Sequence, residues 1–342
     1  MSELIRRLPV YFVLDCSVSM VGEGIEAVQR GLKSLVNELK SDPHALETAW
    51  LSVITFSSYA EQIIPLTDIT EFQVPDLKIH PGTKLGAALS LLRDCIQKEV
   101  RLNTPDQKGD WLPLVFLLTD GEPTDEWTHP AQKLNTLFSG KPLNLIAIGC
   151  GPDVNSEILY QLTESVFILK DDSPEDFQKL FRWITASIST ASQNIEVQGS
   201  QLISSDFPKD LLDKASKDTK ISGSQQRQLF LTVQCSKMKE YFLIRFRLNE
   251  DETGFDPVKT HKIDKDYLDE TVNEDDASHV SSDMLHGILP CPHCENNVVA
   301  KCPCGAIFCC SENDEYVVCP ACNRKLSLDL SPDSIDFPKA NG

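Results

Sequence analysis

The sequence predicts a doubly wound α/β domain with a mostly parallel sheet, followed by a small cysteine-rich β domain. Residues 8–192 alternate short apolar runs with amphipathic helical patterns, which is typical of a parallel sheet covered by helices on both faces. Further along the chain, eight of the twelve cysteines lie between Cys291 and Cys322. Because residues 1–7 show no secretory pattern, we expect these closely spaced thiols to bind metal rather than to form disulfides.

Apolar runs bounded by turns predict the strands of the first domain. Five of them are buried runs, and the one at 62–66 follows a short turn and is expected to be an antiparallel edge strand. The predicted strands are Val10–Leu14, Leu51–Phe56, Gln62–Leu66, Leu114–Thr119, Leu143–Gly149 and Val166–Leu169. Apolar residues at helical spacing predict helices around Ile25–Leu39 and Leu85–Ile96 and a closing helix around Phe177–Ile188.

The remainder of the chain changes character several times. A β-hairpin is predicted from 228–234 and 241–248, and it is expected to pack on other structure because two strands alone are marginally stable. Residues 250–288 hold twelve acidic and three basic side chains, which indicates a poorly ordered linker. The predicted divisions are an α/β domain at 1–192, a β-rich extension at 193–249, an acidic linker at 250–288, a zinc-ribbon-like domain at 289–328 and a tail at 329–342.

The overall charge narrows the classes of partner. The formal net charge is −19, so free nucleic acid is not an expected partner, because phosphate binding depends on lysine and arginine. No apolar stretch is long enough to span a bilayer, so no membrane partner is expected. A soluble, cytoplasmic protein is the default expectation.

Five oxygen-bearing side chains are predicted to form a site for a divalent cation. Asp15, Ser17 and Ser19 follow a buried strand in a D-x-S-x-S pattern, and Asp120 ends a second buried run. Thr83 lies in the loop before the second predicted helix. In open α/β sheets ligands bind beyond the carboxyl ends of the strands, so these groups are expected to meet there. Carboxylate and hydroxyl oxygens are ligands suited to Mg²⁺ or Mn²⁺.

Each piece of this pattern also has an ordinary structural interpretation. Ser17 and Ser19 could satisfy turn amides, Thr83 could cap its helix, and Asp120-Gly121 could be a simple turn. The interpretation as a site rests on all of them falling at one edge of one sheet. Asp125, Trp111 and Trp127 are also expected on loops near that edge, where they could contact a partner. The two tryptophans are expected instead to pack beneath their own loops.

These residues resemble the metal-ion-dependent adhesion site of von Willebrand factor A domains. The match is carried by Asp15-x-Ser17-x-Ser19, Thr83 and Thr119-Asp120-Gly121. Further segments are similar to the bacterial tellurite-resistance TerY branch of that family, which can also carry a cysteine-rich C-terminus: Ser41–Glu47, Ser52–Phe56, Lys108–Trp111 and Asp120–Trp127. Val18 departs from the family pattern, which usually has a small residue there, but it removes no ligand.

The resemblance implies a non-enzymatic, cation-dependent protein-binding domain. In such domains an Asp or Glu of the partner completes the coordination of the bound ion. TerY-like proteins resemble parts of a set that includes a protein kinase and a metal-dependent protein phosphatase, which implies a scaffold or regulatory role in a bacterial stress or phage response.

The cysteine segment carries two matched C-P-x-C turns, separated by 24 residues. Each turn presents two thiolates, and two turns predict a tetrahedral zinc site formed by Cys291, Cys294, Cys319 and Cys322. Candidate further ligands are Cys302, Cys304 and Cys309. Spacing alone allows one zinc ion with spare thiols or two interleaved sites. His293 is expected to be a surface residue rather than a ligand.

Two rival functions are open at this stage. A Mg²⁺-dependent phosphoryl-transfer enzyme would need a second carboxylate two residues after Asp15, but Ser17 stands there. The chain also shows no glycine-rich phosphate loop after the first strand. A zinc-ribbon factor binding nucleic acid would need a basic stripe, whereas residues 289–326 hold three basic and four acidic side chains.

Overall fold

The structure is a computed structural model that divides into two compact units, Met1–Ser222 and Gly223–Gly342. It describes residues 6–104, 108–138, 143–150, 154–169, 173–193, 212–214, 228–249, 251–263, 279–327 and 336–338. None of the helices within these ranges combines the length and the apolar character needed to cross a membrane.

A seven-stranded sheet forms the centre of the first unit. Its strands are β1 (Leu8–Asp15), β2 (Ala49–Phe56), β3 (Ala60–Asp68), β4 (Leu114–Thr119), β5 (Asn144–Cys150), β6 (Val166–Leu169) and β7 (Leu212–Lys214). Their order is β3-β2-β1-β4-β5-β6-β7, with β3 and β7 antiparallel to their neighbours and the rest parallel. The predicted mostly parallel fold and its antiparallel edge strand at 62–66 are confirmed.

Helices cover both faces of this sheet. They are α1 (Glu23–Ser41), α2 (Pro43–Thr48), α3 (Leu85–Glu99), α4 (Thr128–Asn135), α5 (Ser156–Leu162) and α6 (Pro174–Gln193). Successive residues of β1 alternate between two cores: Phe12 packs with α1, α2 and α6, whereas Val13 packs with α3, α4 and α5. Every residue of β1 is buried, which explains why the run is apolar throughout rather than alternating.

The strand order places a crevice at the carboxyl end of β1. From β1 the chain moves to β2 on one side and later to β4 on the other, so the connections diverge between β1 and β4. Such a switch point leaves a crevice where ligands bind in open α/β sheets. Asp15 is the last residue of β1, and Asp120 directly follows β4, so both carboxylates stand at this crevice.

The second unit contains a five-stranded sheet ordered β10-β9-β8-β13-β12 and two small strand pairs, β11-β16 and β14-β15. Its strands are β8 (Gln228–Gln234), β9 (Tyr241–Leu248), β10 (Phe255–Ile263), β11 (His279–Ser281), β12 (Val298–Lys301), β13 (Ile307–Cys310), β14 (Tyr316–Val318), β15 (Lys325–Ser327) and β16 (Asp336–Pro338). The predicted hairpin is β8-β9, and it packs against the cysteine-rich segment as one sheet.

Three predicted divisions of the chain are wrong where the structure describes them. The β-rich extension at 193–249 is not one division, because β7 pairs with β6 in the first sheet whereas β8 and β9 belong to the second unit. The supposed linker at 250–288 contains β10 and β11, because β10 finds a ladder partner in β9 despite its charged composition. The supposed tail at 329–342 contains β16, which pairs with β11. Residues 194–211, 215–227, 250, 264–278, 328–335 and 339–342 lie outside the described residues, so those parts of the predicted divisions stay predictions.

Candidate functional site

The end of β1 turns sharply so that three oxygen-bearing side chains follow one another. The backbone N–H of Ser17 donates to Asp15 Oδ1 at 2.9 Å, and a 3-10 turn over Val18–Met20 carries Ser19 back toward the same carboxyl end. The Ser17 and Ser19 hydroxyl oxygens are 2.9 Å apart. The D-x-S-x-S pattern thus presents its polar groups on one side of a compact turn.

The structure brings Asp120 and Thr83 to this turn. The Ser19 hydroxyl donates to Asp120 Oδ1 at 2.5 Å, and the neighbouring Thr119 hydroxyl donates to Asp15 Oδ2 at 2.5 Å. A Cβ placed on Gly121 would lie 3.1 Å from Thr83 Oγ1 and 3.7 Å from Ser19 Oγ, so these two hydroxyls face one small space. All five sequence-predicted oxygen ligands therefore converge at one sheet edge.

Burial gives this constellation its electrostatic character. Asp15 is 1% exposed and Asp120 7% exposed, so two carboxyl groups stand together away from bulk water. Burial raises the pKa of Asp15 to about 6, although hydrogen bonds from Ser17 and Thr119 act in the opposite direction. A bound divalent cation would restore the stabilisation that the charged forms lose on leaving water. The donor set fits a hard cation, since every member offers oxygen.

The loop before α3 is held against the sheet edge by its backbone. His80 N–H donates to the carbonyl of Cys16 at 3.0 Å, and Lys84 N–H donates to the carbonyl of Ser57 at 2.8 Å. Gly82 has φ +80°, a conformation that side chains disfavour, and it allows the chain to turn before Thr83. Since Lys84 occupies the N-cap position of α3, Thr83 is not the helix cap that its sequence position also suggested.

The two tryptophans occupy different ends of the sheet. Trp127 is half-buried and packs against the core beneath its own loop, as expected. Trp111 also packs against a core, but its backbone N–H donates to the carbonyl of Arg7 beside the amino end of β1. The expectation that Trp111 lies near the cation site is therefore wrong, because it precedes β4 rather than following it.

Eight thiols of the second unit form two separate groups. Within each, the sulfur atoms all lie within 4.8 Å of one another. Cluster A is formed by Cys235, Cys291, Cys294 and Cys309, and cluster B by Cys302, Cys304, Cys319 and Cys322. The predicted single site that joins Cys291 and Cys294 to Cys319 and Cys322 is wrong, because the two C-P-x-C turns belong to different clusters. Both clusters draw thiols from the Cys302–Cys309 region, so the grouping agrees with the interleaved alternative, except that Cys235 takes part and Cys310 does not.

Opposite faces of one strand hold the two clusters apart. In β13, Ile307 and Cys309 belong to the core that surrounds cluster A, whereas Phe308 and Cys310 belong to the core that surrounds cluster B. This alternation follows from the period of two of a β-strand. Of the two adjacent cysteines in β13, Cys309 therefore joins cluster A, whereas Cys310 lies on the opposite face of the strand.

The same backbone turn recurs at three of the cysteines. In each, the cysteine N–H donates to the carbonyl five residues later, and the N–H four residues later donates back to the cysteine carbonyl. The turns begin at Cys235, Cys291 and Cys319, and each has positive φ at its fifth residue: Lys239, Glu295 and Asn323 respectively. A turn one residue shorter begins at Cys302 and has its positive φ at Gly305.

Sulfur–sulfur distances match four thiolates around one ion. Sulfurs bound to one tetrahedral zinc at about 2.3 Å lie roughly 3.8 Å apart. The Cys294–Cys309 distance is 3.5 Å in cluster A, and the Cys302–Cys322 and Cys304–Cys319 distances are 3.6 and 3.7 Å in cluster B. A disulfide would need about 2.05 Å, and none of the twelve cysteines, all of them within the described residues, forms a disulfide. The residues therefore fit zinc, and they fit it twice.

Cys235 is the site residue that sequence reasoning missed. Its turn reads Cys-Ser-Lys-Met, with Met238 where the other turns have their second cysteine, so the C-x-x-C signal is absent. N–H groups support the sulfurs: Met238 N–H donates to Cys235 Sγ at 3.3 Å and Ser236 N–H to Cys309 Sγ at 3.4 Å. His293 belongs to neither cluster; its ring contacts the carbonyl of Tyr241.

Comparisons with known proteins agree with this division of the chain. The family model of the von Willebrand factor type A domain matches residues 10–183, which is just over half of the chain. The chain belongs to the von Willebrand factor type A domain family. The model of the TerY-C metal binding domain matches residues 225–342, the unit that contains both cysteine clusters. The protein thus combines a von Willebrand factor A domain carrying an adhesion-type metal site with a metal-binding C-terminal domain.

Individual relatives are distant and match less than half of this chain. Uncharacterized protein sll0103 of Synechocystis is 30% identical over 167 residues, 47% of this chain and 36% of the relative. Inter alpha-trypsin inhibitor heavy chain 4 of Mus musculus is 26% identical over 164 residues, 45% of this chain and 16% of the relative. The chain therefore spans much less than two thirds of either curated relative.

Two solved structures show a weak likeness to just over half of this chain. The ArnB paralog VWA2 from Sulfolobus acidocaldarius is 20% identical with a TM-score of 0.40, over 54% of this chain and 45% of that one. Proximal thread matrix protein 1 from the mussel byssus, solved with a zinc-occupied MIDAS motif, is 18% identical with a TM-score of 0.39, over 56% of this chain and 47% of that one.

Proposed function

We propose that the protein is a non-enzymatic adaptor that binds an acidic group of another protein through a divalent cation. The supporting observation is the convergence of Asp15, Ser17, Ser19, Thr83 and Asp120 in one buried space at the carboxyl ends of β1 and β4. We take Mg²⁺ or Mn²⁺ as the cation, because every ligand is a hard oxygen.

The mixture of hydroxyls and carboxylates explains why a partner is captured. Neutral hydroxyls bind the ion without cancelling its charge, so an ion held largely by serine and threonine keeps part of its positive charge. Both carboxylate oxygens of Asp15 already accept hydrogen bonds, from Ser17 N–H and Thr119 Oγ1, which suits it to contact through water. An Asp or Glu of a partner supplies the remaining negative charge.

Zinc is the proposed metal of clusters A and B, one ion in each. Four thiolates at tetrahedral spacing in each cluster support this assignment. The role proposed for these ions is structural, since all four protein ligands are present and no position is left for a substrate. The domain they stabilise is then a second protein-docking module.

The proposed partners are a protein kinase and a metal-dependent phosphatase of a bacterial stress or phage-response system. This part of the proposal rests on the likeness to TerY proteins, and the match of residues 225–342 to the TerY-C metal binding domain supports it. We propose no catalytic residue and no nucleic-acid or membrane partner, and we propose that the protein acts in the cytoplasm.

The test is affinity capture of partners by the full chain with and without added Mg²⁺ or Mn²⁺. Removing these ions by dialysis leaves tightly held zinc in place, which a strong chelator would not do. We expect capture to require the ion and to fall at least about tenfold in Asp120→Ala and Asp15→Ala, since loss of one ligand or its support commonly costs metal sites 10–100-fold in affinity.

Asp68→Ala is the matched control, because Asp68 is also a carboxylate at the end of a strand, but its side chain hydrogen-bonds to Thr70 within its own turn. Its capture should equal that of the unmodified chain. Capture that persists without the ion, or in Asp120→Ala, would contradict the proposal. Phosphatase turnover that disappears in Asp15→Asn would replace it with an enzymatic function.

A further inference from the structure

The segment after Asp120 folds back onto the loop that carries Thr83. Thr83 N–H donates to Thr124 Oγ1 at 3.1 Å, and Thr124 N–H donates in return to the Thr83 carbonyl at 2.9 Å. Two cation ligands that are far apart in the chain are thereby joined through three residues of intervening loop. Any displacement of Thr83 would have to break this reciprocal pair.

Asp125 makes the second and stronger attachment. Its Oδ1 accepts from Gly86 N–H and its Oδ2 from Ala87 N–H, both at 2.9 Å, at the first turn of α3. A carboxylate that accepts two amides at a helix N-terminus is a charge-assisted contact, and the helix dipole adds to it. The contact fixes the start of the helix that follows Thr83 directly.

Gly86 has no side chain, which allows the backbone at Glu126 to approach the first turn of α3 closely. A Cβ at this position would lie 2.0 Å from the carbonyl oxygen of Glu126, so a side chain there cannot coexist with the observed loop. The segment after Asp120 therefore contacts the start of α3 in two ways. Its backbone packs against Gly86, and the Asp125 side chain accepts hydrogen bonds from the helix amides.

We propose that Asp125 is a positioning residue that holds the Thr83 hydroxyl ready for the cation. The inference rests on the proposed function, because it concerns the affinity of that same site. With Asp125 in place the Thr83 loop is ordered before the ion arrives. Without it, binding must also order the loop, so affinity falls. Groups that orient metal ligands are commonly worth 10–100-fold in metal affinity.

The experiment is a Mn²⁺ titration of the zinc-loaded full chain, followed by the electron paramagnetic resonance signal of free Mn²⁺. Asp125→Ala should weaken Mn²⁺ binding by about 10–100-fold. Asp42→Ala is the matched control: Asp42 accepts from two backbone N–H groups at the start of α2, at 3.0 and 3.4 Å, and takes no part in the cation site. This control should bind Mn²⁺ as the unmodified chain does.

A double-mutant cycle separates positioning from a general structural effect. If Asp125 acts through Thr83, then Asp125→Ala should cost nothing further once Thr83→Ala has removed the ligand. An equal loss in both backgrounds, or full affinity in Asp125→Ala, would overturn the inference. If Asp125→Ala does not fold, Asp125→Asn decides, since its single amide oxygen keeps the shape and should give an intermediate affinity. Wild-type affinity in Thr83→Ala and Asp15→Ala would instead refute the proposed function itself.

Discussion

Cys235 completes a metal-binding cluster although no motif in the neighbouring sequence indicates a ligand there. It begins a metal-binding turn between β8 and β9 in which Met238 stands at the position of the second cysteine, and Cys309 of β13 completes the set. Three ligands of the cation site fall within five consecutive residues at the end of β1, Asp120 directly follows a strand and Thr83 lies just before α3, so this site could be predicted. Cys235 could not, since its partners are brought to it only by the pairing of β8 with β13.

Replacing Cys235 by serine should remove one metal ion and leave the other. We expect zinc measured by mass spectrometry to fall from two ions per chain to one, because cluster A loses a thiolate while cluster B is untouched. Cys310→Ser is the matched control: Cys310 is also buried, on the same strand, but belongs to neither cluster, so two ions should remain. Two ions in Cys235→Ser would show that the thiol is not a ligand.

At the scale of elements, the sequence predicted buried strands well and charged ones badly. β1 and β4 are buried along their whole length, so their residues are apolar and stand out. β10 has only two buried residues, contains Lys259 and Lys262, and has a register shift after Pro257, all features of an edge strand. Its pairing with β9 depends on backbone hydrogen bonds, which leave no signal in the side-chain pattern.

Helices α1 and α6 pack closely at Gly31. A Cβ at this position would lie 2.0 Å from Cδ2 of Phe181, whose side chain is 1% exposed and cannot move away freely. Gly31→Ala should therefore lower the free energy of unfolding by about 1–3 kcal/mol, the usual cost of overpacking a core. Chemical denaturation followed by circular dichroism measures this change.

Gly24→Ala on the same helix provides the comparison for Gly31→Ala. There an added Cβ would meet only the end of Met20, at 3.9 Å, so the better helix propensity of alanine should raise stability by about 0.5–1 kcal/mol. Stabilisation of both variants would mean that α1 and α6 do not approach at Gly31 as described.

At the scale of the whole molecule, the two units differ in what stabilises them. The first unit has two large apolar cores on either side of its sheet. The second has smaller cores, and cysteines of both clusters are among their buried members. Small domains commonly need a metal to fold, so the second unit should depend on its ions whereas the first should not.

Stripping zinc should therefore unfold one unit and spare the other. After treatment with a strong chelator, hydrogen exchange measured by mass spectrometry should rise throughout peptides from 228–249 and 291–327. Peptides from β1, β4 and α6 should keep their protection, because the cores to which they belong contain no cysteine of either cluster. Slow exchange in the second unit after complete zinc removal would mean that its apolar core is sufficient.

The interleaving of the clusters has a consequence for how the chain is made. A ribosome adds Cys309, the last ligand of cluster A, before Cys319 and Cys322 of cluster B. Cluster A can therefore capture its ion while cluster B has only half of its thiols, and β8 and β13 are then already tied together. The order of synthesis thus completes cluster A first, so that the first ion is bound there. This order limits competition between the two clusters for the same thiols.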